Sequence, residues 1–120
     1  MQARELAEQV VRTLDKHKAQ DVQLLRVEDV TTITDYFVIA AGTSSTQVKA
    51  LVDYVEYELE QQGVAPLRVE GYATANWILL DYGSVVVHVF YSETRRFYDL
   101  ERLWKDAQKV DITAILDAEQ

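Results

Sequence analysis

The sequence predicts a single α/β (α+β) domain in which a mixed sheet of roughly five strands is flanked by helices. Two stretches carry apolar residues at every third or fourth position, which is the spacing of a helix with one buried side. Several short runs are rich in valine, isoleucine and aromatic residues, which favour strands. A chain of 120 residues is long enough to bury one hydrophobic core, so we expect one domain.

The two predicted helices are defined by their apolar spacing and their ends. The second begins after Ser44, because Ser44 and Gln47 have the spacing of a capping box, in which each side chain satisfies a backbone amide of the other. It is predicted to end near Gly63, since glycine allows the left-handed conformation of a C-terminal cap, and Pro66 prevents continuation. The apolar stripe of the first helix consists of Ala3, Leu6, Ala7, Val10, Val11 and Leu14.

Five runs of strand-forming residues complete the predicted sheet. The last run is apolar on both of its alternating faces, which is typical of a central strand covered by helices. Gly83 and Ser84 predict a hairpin turn between the last two strands, whereas the helix after the second strand favours a parallel neighbour. The sheet is therefore predicted to be mixed. The five runs cover residues 22–27, 36–41, 67–70, 77–82 and 85–91.

The C-terminal part of the chain is predicted to be helical. Residues 97–104 favour one helix, and another is expected to begin at Asp111. We assign residues 1–106 to the domain and residues 107–120 to a C-terminal tail that includes a short helix.

Composition restricts the function. The formal net charge is −8, which disfavours direct binding to the phosphates of nucleic acids and favours a basic protein partner. There is no cysteine, so a disulfide framework and a thiolate metal site are excluded, and a reducing compartment such as the cytoplasm is expected. No segment approaches the roughly twenty apolar residues that a membrane helix needs.

Few residues suggest catalysis or metal binding. The two histidines, His17 and His88, lack the spacing of a helical zinc site, and His88 lies in an apolar strand where a structural role is the usual one. The sequence contains no Gly-x-Ser-x-Gly motif. Acidic pairs such as Glu70 and Asp81 are expected by chance in a chain with 20 acidic residues. We therefore predict no catalytic residue, no metal and no cofactor.

The loop from Gly42 to Ser45 suggests an alternative, a nucleotide-binding or nucleotidyltransferase-like enzyme. It follows a strand and opens a helix, so its amides could bind a phosphate. Such an enzyme also needs an Asp-x-Asp pair to hold magnesium, and the sequence has none. We favour the interpretation of this loop as a helix cap.

Several segments resemble the ribosomal silencing factor family, also called Iojap: residues 33–45, residues 77–83 followed by 86–90, and residues 97–104. This resemblance implies a sheet topology related to nucleotidyltransferases without their catalytic carboxylates. It also implies a homodimer that binds large-subunit ribosomal protein fourteen and blocks joining of the small subunit when nutrients are short. A dimeric scaffold with a different protein partner remains a further alternative.

The resemblance implies a partner-binding surface centred on Trp77, Leu79 and Asp81. These residues alternate along one strand and would share one side, offering an aromatic anchor, an aliphatic contact and an acceptor for a basic side chain. Ile78 and Leu80 would then face the core. The same resemblance adds three neighbours, Asn76, His88 and Tyr91.

Two of these residues have ordinary structural alternatives. Trp77 could be a buried tryptophan at the end of a sheet. Asp81 could instead support the turn at Tyr82 and Gly83 by local hydrogen bonding. The aromatic residues Tyr91, Phe97, Tyr98 and Trp104 could pack beneath the last helix or form part of a dimer interface.

Overall fold

A computed structural model of the chain describes residues 1–95 and 105–117. Four helices are described, α1 (Ala3–Lys16), α2 (Ser45–Glu60), α3 (Ser92–Arg95) and α4 (Thr113–Asp117). Six strands are described, β1 (Gln20–Arg26), β2 (Tyr36–Gly42), β3 (Arg68–Glu70), β4 (Trp77–Asp81), β5 (Val85–Tyr91) and β6 (Gln108–Val110). The helix predicted over residues 97–104 falls outside the described residues.

The strands form one mixed sheet in the order β3-β4-β5-β2-β1-β6. β2 and β5 pair in parallel, and the other neighbouring pairs are antiparallel. The predicted fold class and the mixed sheet are therefore confirmed. β5 lies inside the sheet and is buried along its length except at Tyr91, because an apolar strand needs cover on both sides.

The sixth strand was not predicted. β6 has three residues, of which Gln108 and Lys109 are polar and exposed, so the sequence gives no strand signal there. It pairs with the outer edge of β1. α4 follows it, and Asp111 accepts a hydrogen bond from the Thr113 amide over 2.9 Å at the start of this helix. Residues in the predicted tail thus extend the sheet.

The two sides of the sheet have different apolar clusters. On one side, which we call the helix face, α1 and α2 cover alternate strand residues such as Val38, Val87 and Val89, and α4 packs against α1. The opposite side, which we call the second face, contains the residues between them. Its buried apolar members are Leu25, Val27, Phe37, Ile39, Val86 and Phe90.

α2 begins close to the end of β2. A side-chain carbon at Gly42 would lie 3.0 Å from Cγ2 of Val48, so a larger residue would push the first turn of α2 away from the sheet. At the other end, Gly63 has a φ of +79°, as the predicted C-terminal cap requires. Among the described residues, no helix combines the length and the apolar character needed to cross a membrane.

Candidate functional site

The predicted surface lies on β4 and β5, which form the hairpin predicted at Gly83. Trp77 pairs with Phe90 and Leu79 pairs with His88. Because directly opposite residues of an antiparallel pair project to the same side, all four side chains belong to the second face. This side of the hairpin is therefore aromatic and largely apolar.

Burial alternates along β4. Ile78 and Leu80 are fully buried on the helix face, whereas Trp77, Leu79 and Asp81 are partly exposed. The predicted division of β4 into a core side and an accessible side is thus confirmed. It follows from the two-residue period of a strand, since only one side of β4 is covered by α2.

Trp77 is held from two directions. Its ring stacks on Phe90, with ring centroids 5.0 Å apart and planes 25° apart. Its indole Nε1–H donates a hydrogen bond to Nδ1 of His88 over 3.1 Å. Trp77 is therefore neither a fully buried core residue nor a freely rotating surface residue, but a fixed aromatic group with part of its surface accessible.

His88 lies under this group and is only 5% exposed. Burial lowers the pKa of His88 from 6.5 to about 4, so the ring is neutral at pH 7. Because Nδ1 accepts the bond from Trp77, the ring proton is on Nε2. Nε2 has no hydrogen-bond partner within the described part of the chain. His88 is thus buried and hydrogen-bonded through one ring nitrogen, as expected of a histidine in an apolar strand.

The His88 ring is also positioned by a neighbouring strand. Phe37 on β2 makes an edge-to-face contact with it, with centroids 5.0 Å apart and planes 86° apart. Such contacts between aromatic rings are favourable beyond the area they bury. Phe37, His88, Phe90 and Trp77 therefore form one aromatic cluster on the second face. Phe90 was not among the predicted site residues, although its position two residues after His88 places it on the same side.

Asp81 is engaged within the chain. One carboxylate oxygen, Oδ1, accepts a hydrogen bond from the Gly83 amide over 2.8 Å. The other, Oδ2, accepts one from Nε of Arg68 on β3 over 3.1 Å. These bonds support the turn interpretation of Asp81, and a basic partner would have to compete with Arg68. Nothing in the sequence pointed to Arg68, because its pairing with Asp81 depends on the register of β3 and β4.

Asn76 and Tyr91, the two remaining predicted residues, lie at the end of the hairpin next to Trp77 and away from Asp81. The carbonyl of Asn76 accepts a hydrogen bond from the Tyr91 amide over 3.0 Å, and Asn76 is exposed. The Tyr91 side chain packs against the apolar cluster of the helix face. Tyr91 is three positions from His88, so it projects to the opposite side. The structure places Trp77, Leu79, Asp81 and His88 on one face of the hairpin, with Trp77 bonded to His88 and Asp81 at the far end, and it separates Tyr91 from them.

The loop from Gly42 to Ser45 forms a helix cap. Ser44 Oγ accepts a hydrogen bond from the Gln47 amide over 3.0 Å, and Gln47 Oε1 accepts one from the Thr43 amide over 2.6 Å. The return bond thus involves Thr43 and not Ser44, one residue earlier than a capping box requires. Two amides that could have held a phosphate are already used. Among residues 1–95 and 105–117, no group of acidic, histidine or cysteine side chains could hold a metal ion.

Comparisons with known proteins point to one family. The sequence model of a family described as "Ribosomal silencing factor during starvation" matches residues 1–120. "Ribosomal silencing factor RsfS" of Halalkalibacterium halodurans is 38% identical over 116 residues, which cover 97% of this chain and 99% of that protein. The protein of the same name in Bacillus subtilis is 38% identical and covers 82% of this chain, and 83% of its own length is matched.

The fold is also similar to a solved structure. The crystal structure of a protein from Chromobacterium violaceum superposes with a TM-score of 0.84 and has 34% sequence identity. The superposition covers 88% of each chain. The arrangement of the sheet and its helices is therefore shared with this protein.

Proposed function

The chain belongs to the family of ribosomal silencing factors, and from this premise we propose that it represses translation by binding the large ribosomal subunit. The bound protein sterically blocks joining of the small subunit when nutrients are limited. Its attachment point is large-subunit ribosomal protein fourteen. In this role the protein acts in the cytoplasm by occupying a surface, and it carries out no reaction.

The observation that carries this proposal is the partly exposed pair Trp77 and Leu79 on an otherwise packed face of the sheet. Tryptophan is strongly enriched among the residues that dominate binding energy at protein interfaces. Trp77 is already fixed by His88 and Phe90, so binding loses little side-chain entropy. A rigid aromatic anchor beside an aliphatic residue supports a protein-binding surface.

Charge supports the same class of partner. The net charge of −8 attracts a basic protein and repels exposed ribosomal RNA. Such long-range attraction accelerates association and restricts the choice of partner more than it adds to affinity. A basic ribosomal protein therefore fits this chain better than a nucleic acid does.

We assign different roles to the predicted residues. Trp77 and Leu79 contact the partner directly, and Asn76 borders the contact at the exposed start of β4. Asp81 contributes its negative charge at the other end of β4, where Arg68 already pairs with it. His88 does not touch the partner and acts by holding the indole of Trp77 in place. We leave Tyr91 out of the contact surface, because its side chain packs on the helix face.

We also propose that the free protein is a homodimer. β3 is an edge strand of three residues that are all exposed, and no strand in the described part of the chain pairs with its outer edge. An open edge offers unpaired backbone groups to a second chain. Sedimentation equilibrium is expected to give twice the mass of one chain, 13.8 kDa. A single-chain mass throughout the micromolar range contradicts the dimer.

The direct test is co-sedimentation with purified large subunits. The Trp77→Ala variant is expected to bind about 30-fold more weakly than wild type, which corresponds to about 2 kcal/mol. Tyr57→Ala is the matched control, because Tyr57 is an aromatic residue on α2 with 60% exposure, away from the second face. Its binding is expected to equal that of wild type.

A second assay measures the consequence of binding. Purified subunits are mixed with and without the protein, and the fraction of joined ribosomes is measured on a density gradient. Wild type and Tyr57→Ala are expected to reduce joining, and Trp77→Ala is expected to have little effect. Wild-type protein that fails to sediment with the large subunit at low and moderate salt would overturn the proposed function.

A further inference from the structure

We propose that His88 is a positioning residue, because it accepts the only hydrogen bond that the Trp77 side chain can donate. The partner therefore recognises the carbon surface of the indole with a lysine or arginine side chain. This inference rests on the proposed function and specifies how its central contact is made. His88 itself does not touch the partner.

The polar group of the Trp77 indole is already bonded within the chain. A tryptophan side chain has one polar atom, the Nε1–H, which can only donate. In this structure it donates to Nδ1 of His88 over 3.1 Å. If a partner took this proton, the buried Nδ1 would lose its donor, and leaving a buried acceptor unpaired is unfavourable. The accessible surface of Trp77 is therefore carbon.

The side chain of Trp77 is held rigidly by its neighbours on β5. His88 is opposite Leu79 in the pairing of β4 and β5, so it lies diagonally across from Trp77. The edge-to-face contact with Phe37 orients the His88 ring, and the stacking of Phe90 orients the plane of the indole. Two residues of β5 thus determine where Trp77 points. A contact that is already in place before binding improves affinity, because less freedom is lost.

The surroundings of Trp77 favour a basic side chain of the partner. The face of an indole attracts cations more strongly than other aromatic rings do, and the aliphatic part of lysine or arginine packs well on it. On the same face, Glu70 lies opposite Leu79 and Asp81 lies at the far end of β4, and these two carboxylates share the cation of Arg68. This local balance is negative, in the same direction as the net charge of −8. A basic side chain of a protein therefore fits this position.

The role of His88 is tested with two substitutions that differ in one property. The Oδ1 atom of asparagine can replace Nδ1 as an acceptor, whereas leucine cannot accept a hydrogen bond. His88→Asn is expected to keep the affinity for large subunits within about threefold, and His88→Leu is expected to weaken it about tenfold. Equal affinities of wild type and His88→Leu would overturn the positioning role.

The hydrogen bond has its own readout. The indole N–H resonance of Trp77 in a ¹⁵N spectrum is assigned by its absence in Trp77→Phe. It is expected at a hydrogen-bonded, downfield position in wild type and in His88→Asn, and to move upfield in His88→Leu. A resonance that stays in place in His88→Leu would show that the bond to His88 does not hold the ring.

The nature of the contact is tested with a double variant that removes donor and acceptor together. Trp77→Phe with His88→Leu leaves neither group unpaired, so it keeps the test valid even where His88→Leu is unstable. It is expected to bind within about tenfold of wild type, as His88→Leu does, because the positioning bond is lost but phenylalanine still offers an aromatic face. Binding as weak as that of Trp77→Ala would mean that the partner needs the N–H, and the inference fails.

These outcomes are separable from failure of the proposed function. If wild-type protein does not bind large subunits, the function fails regardless of His88. If it binds and the His88 variants do not differ, only the inference fails. Protein-free ribosomal RNA serves as a further probe, and binding to it that depends on Trp77 would replace the basic protein side chain with RNA as the partner.

Discussion

The indole Nε1–H of Trp77 donates to Nδ1 of His88 across β4 and β5, over 3.1 Å. This bond joins a partly exposed residue to one that is 5% exposed. The proposed binding surface therefore shares its central residue with the packed part of the second face. Substitutions of Trp77 are expected to affect both stability and binding, and they must be measured together.

The buried neutral His88 predicts a pH dependence of stability. Its pKa is about 4 in the folded protein and 6.5 when unperturbed, so between these values the unfolded chain binds the proton more readily. This contribution is complete above pH 6.5 and is lost as the pH falls towards 4, by about 3 kcal/mol in total. Urea unfolding at several pH values measures it.

The His88→Leu variant is the control for this pH dependence. The variant keeps every carboxylate of wild type, so the difference between the two proteins isolates the histidine. The stability of the variant relative to wild type is expected to improve as the pH falls from 6.5 to 4. Parallel pH profiles would contradict a buried, neutral His88.

Gly71 determines the position of Trp77 through the backbone. Its φ is +81°, and a side-chain carbon there would overlap the carbonyl oxygen of Trp77. Gly63 has a similar φ of +79° with no atom within 4 Å of the same position. Gly63→Ala is therefore expected to cost about 1 kcal/mol from backbone strain alone. Gly71→Ala adds the collision and is expected to cost about 3 kcal/mol or more.

Unfolding free energies and large-subunit binding of the two alanine variants distinguish strain from collision. Gly71→Ala is expected to weaken binding as well, because the start of β4 must shift. Gly63→Ala is expected to bind as wild type does. Similar losses of stability in both variants would mean that β4 adjusts without cost.

Most of the fold was predictable because its signals are local. The continuous apolar run of β5 and the stripe of α2 each depend on side chains within a few positions, and both elements were predicted. β6 was missed because its pairing with β1 is determined by the long-range arrangement of the chain and not by its polar residues.

The candidate site was predictable only in part, for the same reason. The alternation in β4 places Trp77 and Leu79 on one side. The bond from Trp77 to His88 and the pair of Arg68 with Asp81 require the register between strands, which a single sequence does not give. Alternation along β5 alone would have separated Tyr91 from His88.

The capped loop at Gly42 predicts that nucleotides do not bind there. The amide of Thr43 already donates to the Gln47 side chain, and the amide of Gln47 donates to the Ser44 side chain. A phosphate would have to displace both bonds. Titration with magnesium and nucleoside triphosphates is expected to leave the melting temperature unchanged. A saturable increase, which specific binding to the folded state produces, would support the nucleotide-binding alternative.

Arg68 is predicted to restrain binding to a basic partner. It is 61% exposed and shares its charge between Glu70 and Asp81, so its own pairs add at most about 1 kcal/mol to stability. Arg68→Ala removes the cation that pairs with Glu70 and Asp81 on the second face. Stability is expected to change little, and affinity for large subunits at low salt is expected to rise up to about fivefold.

Asp81→Ala is the counterpart that separates the two roles of the carboxylate. It removes the bond to the Gly83 amide, so the turn is expected to lose about 1 kcal/mol of stability, and the attraction to a basic partner falls as well. The two variants should therefore shift affinity in opposite directions, and the difference should shrink as salt is raised, since screening weakens exposed charges. A change in the same direction for both would mean that Asp81 acts on binding only through the shape of the turn.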